Sequence, residues 1–184
     1  QSTQAIATNP TVMDAARDYR ETWPAMEGLL SEEKKTLGYE DIIVLDKSGV
    51  VVASTNINIL AGSPWSQQEV WQERLQKQAN SLGFYREAGG KQYLLQPLAK
   101  VGSVIFILPQ NYWQDLLQKA LGENAHTVAI TEGSGHMLAG DMPEESKFTQ
   151  PIRFANQDWK IISAEVLSAD RSLIKLSKDI AVLG

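Results

Sequence analysis

Blocks of consecutive apolar residues flank two short turn sequences in this chain. In the first, Ile42-Ile43-Val44-Leu45 leads into Asp46-Lys47-Ser48-Gly49, and Val50-Val51-Val52-Ala53 leads out. β-Branched residues favour strands, the Asp46 carboxylate can accept backbone N–H groups of the turn, and Gly49 can take the positive φ of a bulge. Thr127 to Asp141 repeats the plan more weakly, with Gly133-Ser134-Gly135 at the turn. The pattern predicts two β-hairpins, the second an echo of the first.

Helical spacing fills the stretch before them. Asn9-Pro10 is a helix start, with Asn to cap the free amides and Pro at a position whose N–H has no helical partner. Val12, Met13, Ala16 and Tyr19 then form one apolar face. Thr22-Trp23-Pro24 predicts a second helix start, with Met26, Leu29, Leu30 and Leu37 in register until Gly38 ends it. Beyond the first hairpin, Asn56 to Pro64 reads as loop, and Ser66 with Glu69 is a capping box opening a helix to about Asn80. Strands follow around Phe84 to Glu87, Gln92 to Leu98 and Val101 to Leu108, then a short helix over Tyr112 to Ala120. After the second hairpin come strands around Phe148 to Phe154 and Trp159 to Val166, turned by Asn156-Gln157-Asp158. The predicted division is residues 1–40 as N-terminal helices for packing and dimerisation, 41–110 as a first lobe and 111–122 as a linking helix. Residues 123–167 make a smaller second lobe, and 168–184 a C-terminal helix.

This order of parts, with the string Asp46-x-Ser48-Gly49-x-x-x-Ala53-Ser54-Thr55-Asn56, resembles the double Cache (PDC-type, PAS-like) extracytoplasmic sensor domains of bacterial receptors. The string itself is similar to the first hairpin of dicarboxylate-type sensor kinases. Such domains occur in sensor histidine kinases, chemoreceptors and cyclic-di-GMP enzymes. The resemblance implies an α+β fold of two PAS-like lobes with antiparallel sheets behind an N-terminal helical segment. It implies a periplasmic domain of an inner-membrane protein, homodimeric, with no cofactor and no catalysis in this segment. In comparable receptors the N-terminal helix leaves the membrane, so Gln1 to Thr8 is expected to continue into the next helix. The apolar C-terminal segment is expected to lead toward a second span. A small-molecule ligand or a periplasmic protein is the expected partner.

Composition narrows the chemistry. A formal charge of −5 gives no basic surface for phosphates, so a nucleic-acid partner is not expected. The chain has no cysteine, which removes disulfides, thiol catalysis and thiolate zinc sites. His126 and His136 flank the first strand of the second hairpin, and with Glu132 or Asp141 they could form a metal site only if they face one another; unrelated hairpin histidines are the plainer reading. No nucleophile elbow, His-Glu-x-x-His helix or Walker loop occurs. The Glu32-Glu33 and Glu144-Glu145 pairs adjoin lysines, as solvated surface does.

A ligand site is the functional candidate. In Cache lobes the pocket lies between the sheet and the segment after the second strand, which here carries Trp65, Trp71 and Arg74, facing strands with Tyr85, Arg86, Tyr93 and Gln96. Aromatic walls with a few fixed polar groups suit a small-molecule cavity, and arginine pairs with carboxylates through two parallel bonds. The structural alternative makes Trp65 and Trp71 core wedges and turns Arg74 to water. No Arg-x-Trp-Tyr string of the amino-acid-binding subfamily is present. Ser63-Pro64-Trp65-Ser66 stands where dicarboxylate sensors carry an aromatic-Arg-Pro-Tyr segment, so neither ligand preference transfers.

Overall fold

The computed structural model describes residues 3–17, 19–65, 81–98, 101–145, 148–164, 176–178 and 180, in two compact units, Gln1–Pro109 and Gln110–Gly184. The first unit opens with α1 (Thr3–Ala7), α2 (Pro10–Arg17) and α3 (Tyr19–Leu37). Its strands are β1 (Asp41–Asp46), β2 (Val51–Ser54), β3 (Gly83–Arg86), β4 (Gln92–Leu98) and β5 (Gly102–Leu108). They form one antiparallel sheet in the order β2-β1-β5-β4-β3.

Local chemistry accounts for the helix boundaries. Asn9 Oδ1 accepts the Thr11 N–H at 2.9 Å, and Pro10 is the first residue of α2, as its sequence predicts. The expectation that Gln1 to Thr8 runs on into α2 fails. Pro10 has no N–H to offer the Ile6 carbonyl, which takes the Asn9 N–H instead at 3.1 Å, while the Thr8 N–H and hydroxyl both turn back to the Gln4 carbonyl. The second predicted helix begins at Tyr19, ahead of Trp23-Pro24, so that Pro24 falls in its second turn rather than at its start. It ends as expected at Gly38, whose φ of 71° lets its N–H and that of Tyr39 close on the Lys34 carbonyl.

The first hairpin is built as its residues dictate. Asp46 Oδ1 accepts the Ser48 N–H at 2.7 Å and the Val50 N–H at 3.0 Å, and Gly49 has φ of 78°. Register slips between Val44 and Leu45, so that Val44 faces Ala53 but Leu45 faces Val51.

The second unit contains α4 (Tyr112–Leu121), a 3₁₀ helix (Gly122–Thr127), β6 (Val128–Thr131), β7 (Met137–Gly140), β8 (Phe148–Phe154) and β9 (Gln157–Ser163). Its antiparallel sheet has the order β7-β6-β9-β8. The helix expected to link the lobes packs into this unit's own core. Trp113 meets Trp159 and Phe154 edge-on at 4.9 and 5.8 Å between ring centroids, and those two rings meet at 4.7 Å. The β8–β9 turn is Ala155-Asn156, with φ of 51° and 59°, rather than Asn156-Gln157-Asp158. Two positive φ values suit a two-residue hairpin turn, and β9 consequently starts at Gln157. Leu176 and Ile180 are buried.

Candidate functional site

Strand alternation divides the first sheet into two faces with different cover. On one face Ile43, Leu45, Val51, Tyr93, Leu95, Ile105 and Ile107 form a buried cluster, against which half-buried Ile59, Trp65 and Tyr85 pack. The other face carries Ile42, Val44, Leu94 and Phe106, all buried, and is the side left for the helices, which adjoin β1, β2 and β4. Tyr39 meets Phe106 there in a tilted arrangement, with ring centroids 5.0 Å apart.

The loop after β2 roofs the first of these faces because it folds back along β2. The Val51 N–H donates to Ser63 O and the Gly62 N–H to Val51 O, both at 2.8 Å, while the Trp65 N–H reaches Gly49 O at 3.0 Å. This covers the outer edge of β2 and sets Trp65 beside the hairpin turn. The base of the loop is tied by a buried carboxylate. Asp41 accepts from Asn56 Nδ2 at 2.8 Å, Thr55 Oγ1 at 3.2 Å and Lys34 Nζ at 3.0 Å. The Thr55 hydroxyl oxygen in turn accepts the Ile42 N–H at 2.9 Å. Thr55 and Asn56, the end of the string that carries the family resemblance, therefore clamp the start of β1 to the roof loop. Asp41 was missed because its sequence context reads as a plain strand start, and its partners lie seven to fifteen residues away.

Of the predicted site residues, Trp65, Tyr85 and Tyr93 come together on the roofed face. Tyr85 pairs with Tyr93 across β3 and β4. Arg86 and Gln96 occupy alternate positions and so fall on the helix-side face; Gln96 Oε1 is buried with no hydrogen-bond partner among the described residues. Trp71 and Arg74, with the Ser66–Glu69 capping box, lie outside the described residues.

The two histidine positions lie at opposite ends of the second hairpin. Ala129 pairs with Gly140, so His126 sits beyond one end of the hairpin and exposed His136 in the turn at the other. Among the described residues, no three metal-ligating side chains group together. None of their helices is long and apolar enough to cross a membrane.

An antiparallel sheet of order 2-1-5-4-3, with helices on one face and a folded-back loop on the other, defines an α+β, PAS-like class of fold, here followed by a second sheet of the same plan. Among solved structures the chain is similar to the sensor domain of the V. cholerae histidine kinase DctB, with a TM-score of 0.50 over 89% of this chain and 87% of that one. The two are 8% identical, so the likeness is one of fold, and it meets the expectation of an α+β fold of two PAS-like lobes. No protein-family model matches the sequence, and neither does any curated protein.

Proposed function

We propose that this chain is the periplasmic, ligand-sensing domain of an inner-membrane signalling receptor, non-catalytic itself, with its ligand site in the first unit. In this reading the first unit is the membrane-distal lobe and the second the membrane-proximal one. The observation that carries it is the roofed face, where half-buried Trp65 and Tyr85 stand over an aliphatic floor with buried Tyr93. Half-buried aromatic rings beside a dry apolar floor are what a small molecule needs to lose its water.

Transmission has a physical basis in the bonds at Asp41. A ligand that moves the roof loop pulls on Asn56, hence on Asp41, and hence on Lys34 in the last turns of α3. Such a ligand shifts the receptor only by the difference in its affinity for the two loop positions. Because Arg86 lies on the other face, Arg74, outside the described residues, is the remaining predicted site arginine that would favour a carboxylate.

The test is a thermal-shift screen of small metabolites, repeated on Trp65→Ala and Arg74→Ala. A compound present at about 100 times its Kd adds roughly 2.7 kcal/mol, a shift easily read. Its loss in Trp65→Ala supports the site, and its survival there removes it. Loss in Arg74→Ala as well marks the ligand as anionic.

A second reading, a module that docks a periplasmic binding protein or envelope component, draws on Ile57 and Leu60, which the roof loop holds out to solvent. It is favoured if Ile57→Asp abolishes an interaction while every small-molecule shift is absent.

A further inference from the structure

The two faces of the first sheet differ in charge as well as in cover. Arg86 lies on the helix side. On the roofed face the strand positions are apolar except for Tyr85, Tyr93, the small hydroxyls of Ser54 and Ser103, and Asp41 at its end. Asp41 does not make this face anionic. Its carboxylate lies 3.0 Å from Lys34 Nζ, and Thr55 and Asn56 complete its bonds, so the pair as a whole is neutral. The roof adds no charge either, because no Asp, Glu, Lys, Arg or His occurs between Lys47 and Glu69.

The chain itself shows what the floor accepts. Ile59 packs on the apolar cluster, while Ile57 and Leu60 of the same loop are 91% and 69% exposed. Two turns set this arrangement: the Ile59 N–H donates to Asn56 O at 3.0 Å and the Ser63 N–H to Leu60 O at 3.2 Å. A branched hydrocarbon thus sits on the same cluster as the half-buried rings of Trp65 and Tyr85. The polar atoms of these rings are an indole N–H and a phenol hydroxyl, which can bond a neutral group but supply no countercharge. An ion moved onto this face would give up its hydration and meet, among the described residues, only a charge pair already closed. An uncharged ring or branched chain gains by leaving water there.

We infer that the roofed face takes an uncharged, predominantly apolar ligand, a ring or branched hydrocarbon carrying one or two hydrogen-bonding atoms. The inference rests on the reading of this face as the ligand site and adds the class of molecule. Arg74, which would favour a carboxylate, is then not needed to hold it.

Matched pairs that differ in charge test it: benzamide against benzoate, and isobutyramide against isobutyrate, by thermal shift and calorimetry at pH 7. At least one amide is expected to stabilise the chain, with its carboxylate counterpart roughly tenfold weaker or inactive. The amide effect is expected to persist in Arg74→Ala and to vanish in Trp65→Ala. Should Trp65→Ala not fold, slowed hydrogen exchange at Ile59 and Tyr85 on adding the amide locates it on this face. Carboxylates that bind as well as the amides or better, and are lost in both Arg74→Ala and Trp65→Ala, overturn the inference and leave the site in place. Absence of a shift from both amides overturns it as well. An amide effect that survives Trp65→Ala, with exchange at Ile59 and Tyr85 unchanged, removes the site itself and the inference with it.

Discussion

The pairings Val44–Ala53 and Leu45–Val51 of the first hairpin recur in the second as Ile130–Ala139 and Thr131–Met137, with the bulge in the same place. The turn bonds match too: the Asp46 N–H to Val50 O and the Gly49 N–H to Asp46 O correspond to the Glu132 N–H to His136 O and the Gly135 N–H to Glu132 O. Both sheets continue in the same strand order, and among the described residues the second has no counterpart of β3. That strand carries Tyr85. In the first sheet, β1, β4 and β5 are buried along runs of consecutive residues, so both faces are covered. In the second, β9 alternates, with Trp159, Ile161 and Ser163 buried and Asp158 and Lys160 exposed. The face covered by α4 is the one that corresponds to the helix side of the first sheet. The face corresponding to the roofed one ends in exposed Thr149, Pro151 and Arg153 on β8. Pro151, with no N–H, also blunts that open edge against pairing with a stray strand. One architecture thus yields a sheet covered on both faces and, among the described residues, a sheet with one face packed by tryptophans and the other open at β8.

That contrast can be broken experimentally, beginning where the effect is largest. Trp159→Ala removes the ring shared by Trp113 and Phe154 and is expected to cost about 3–5 kcal/mol, read as lost hydrogen-exchange protection in β6 to β9. Survival of that protection would mean the second unit is not held by its aromatic cluster. Next come two glycines that test whether both units rely on close backbone approach. A Cβ at Gly102 would lie 1.9 Å from Leu45 O, and one at Gly140 1.8 Å from Val128 O, the latter at φ of 76°. Each alanine variant is expected to lose about 3 kcal/mol in urea unfolding, since overpacking against backbone cannot be relieved by a rotamer change. A loss below about 1 kcal/mol at either position would refute the close approach there.

Lys34→Met tests a feature found in the first unit and not seen among the described residues of the second. Asp41 keeps its bonds from Thr55 and Asn56, and the Lys34 side chain is 34% exposed, so the expected loss is modest, about 1 kcal/mol. Faster exchange should reach the roof loop at Ile59 and Ser63; a change confined to α3 would cut the proposed route from loop to helix. The smallest effect separates the hairpins themselves. Asp46→Ala removes the acceptor of two backbone N–H groups and should cost about 1 kcal/mol. Glu132→Ala, whose carboxylate accepts the exposed Ser134 hydroxyl, should cost a few tenths of a kcal/mol. Equal costs would erase the difference in turn capping.

Much of this architecture was legible from residues acting on their neighbours. Asn9-Pro10, Gly38 and the Asp46 turn work within four residues of themselves, and the structure has each where its chemistry puts it. What escaped notice depends on partners distant in sequence or on an unexpected backbone state. Ala155 at positive φ carries no glycine signal, so the last turn was displaced. The Asp41 network joins α3, β1 and the roof loop, which no local window contains. The assignment of Arg86 and Gln96 to the same wall as Tyr85 and Tyr93 overlooked the two-residue period of a strand. Clustering by residue type was readable in the sequence, and the face was not.

The central claim is that the first unit senses and the second does not. Hydrogen exchange of the chain with and without a compound found by thermal shift tests it most directly. The account predicts slowed exchange in the roof loop and at Phe84 and Tyr85 of β3, with β6 to β9 unchanged. Protection concentrated in β6 to β9, or none in the roof loop, contradicts it.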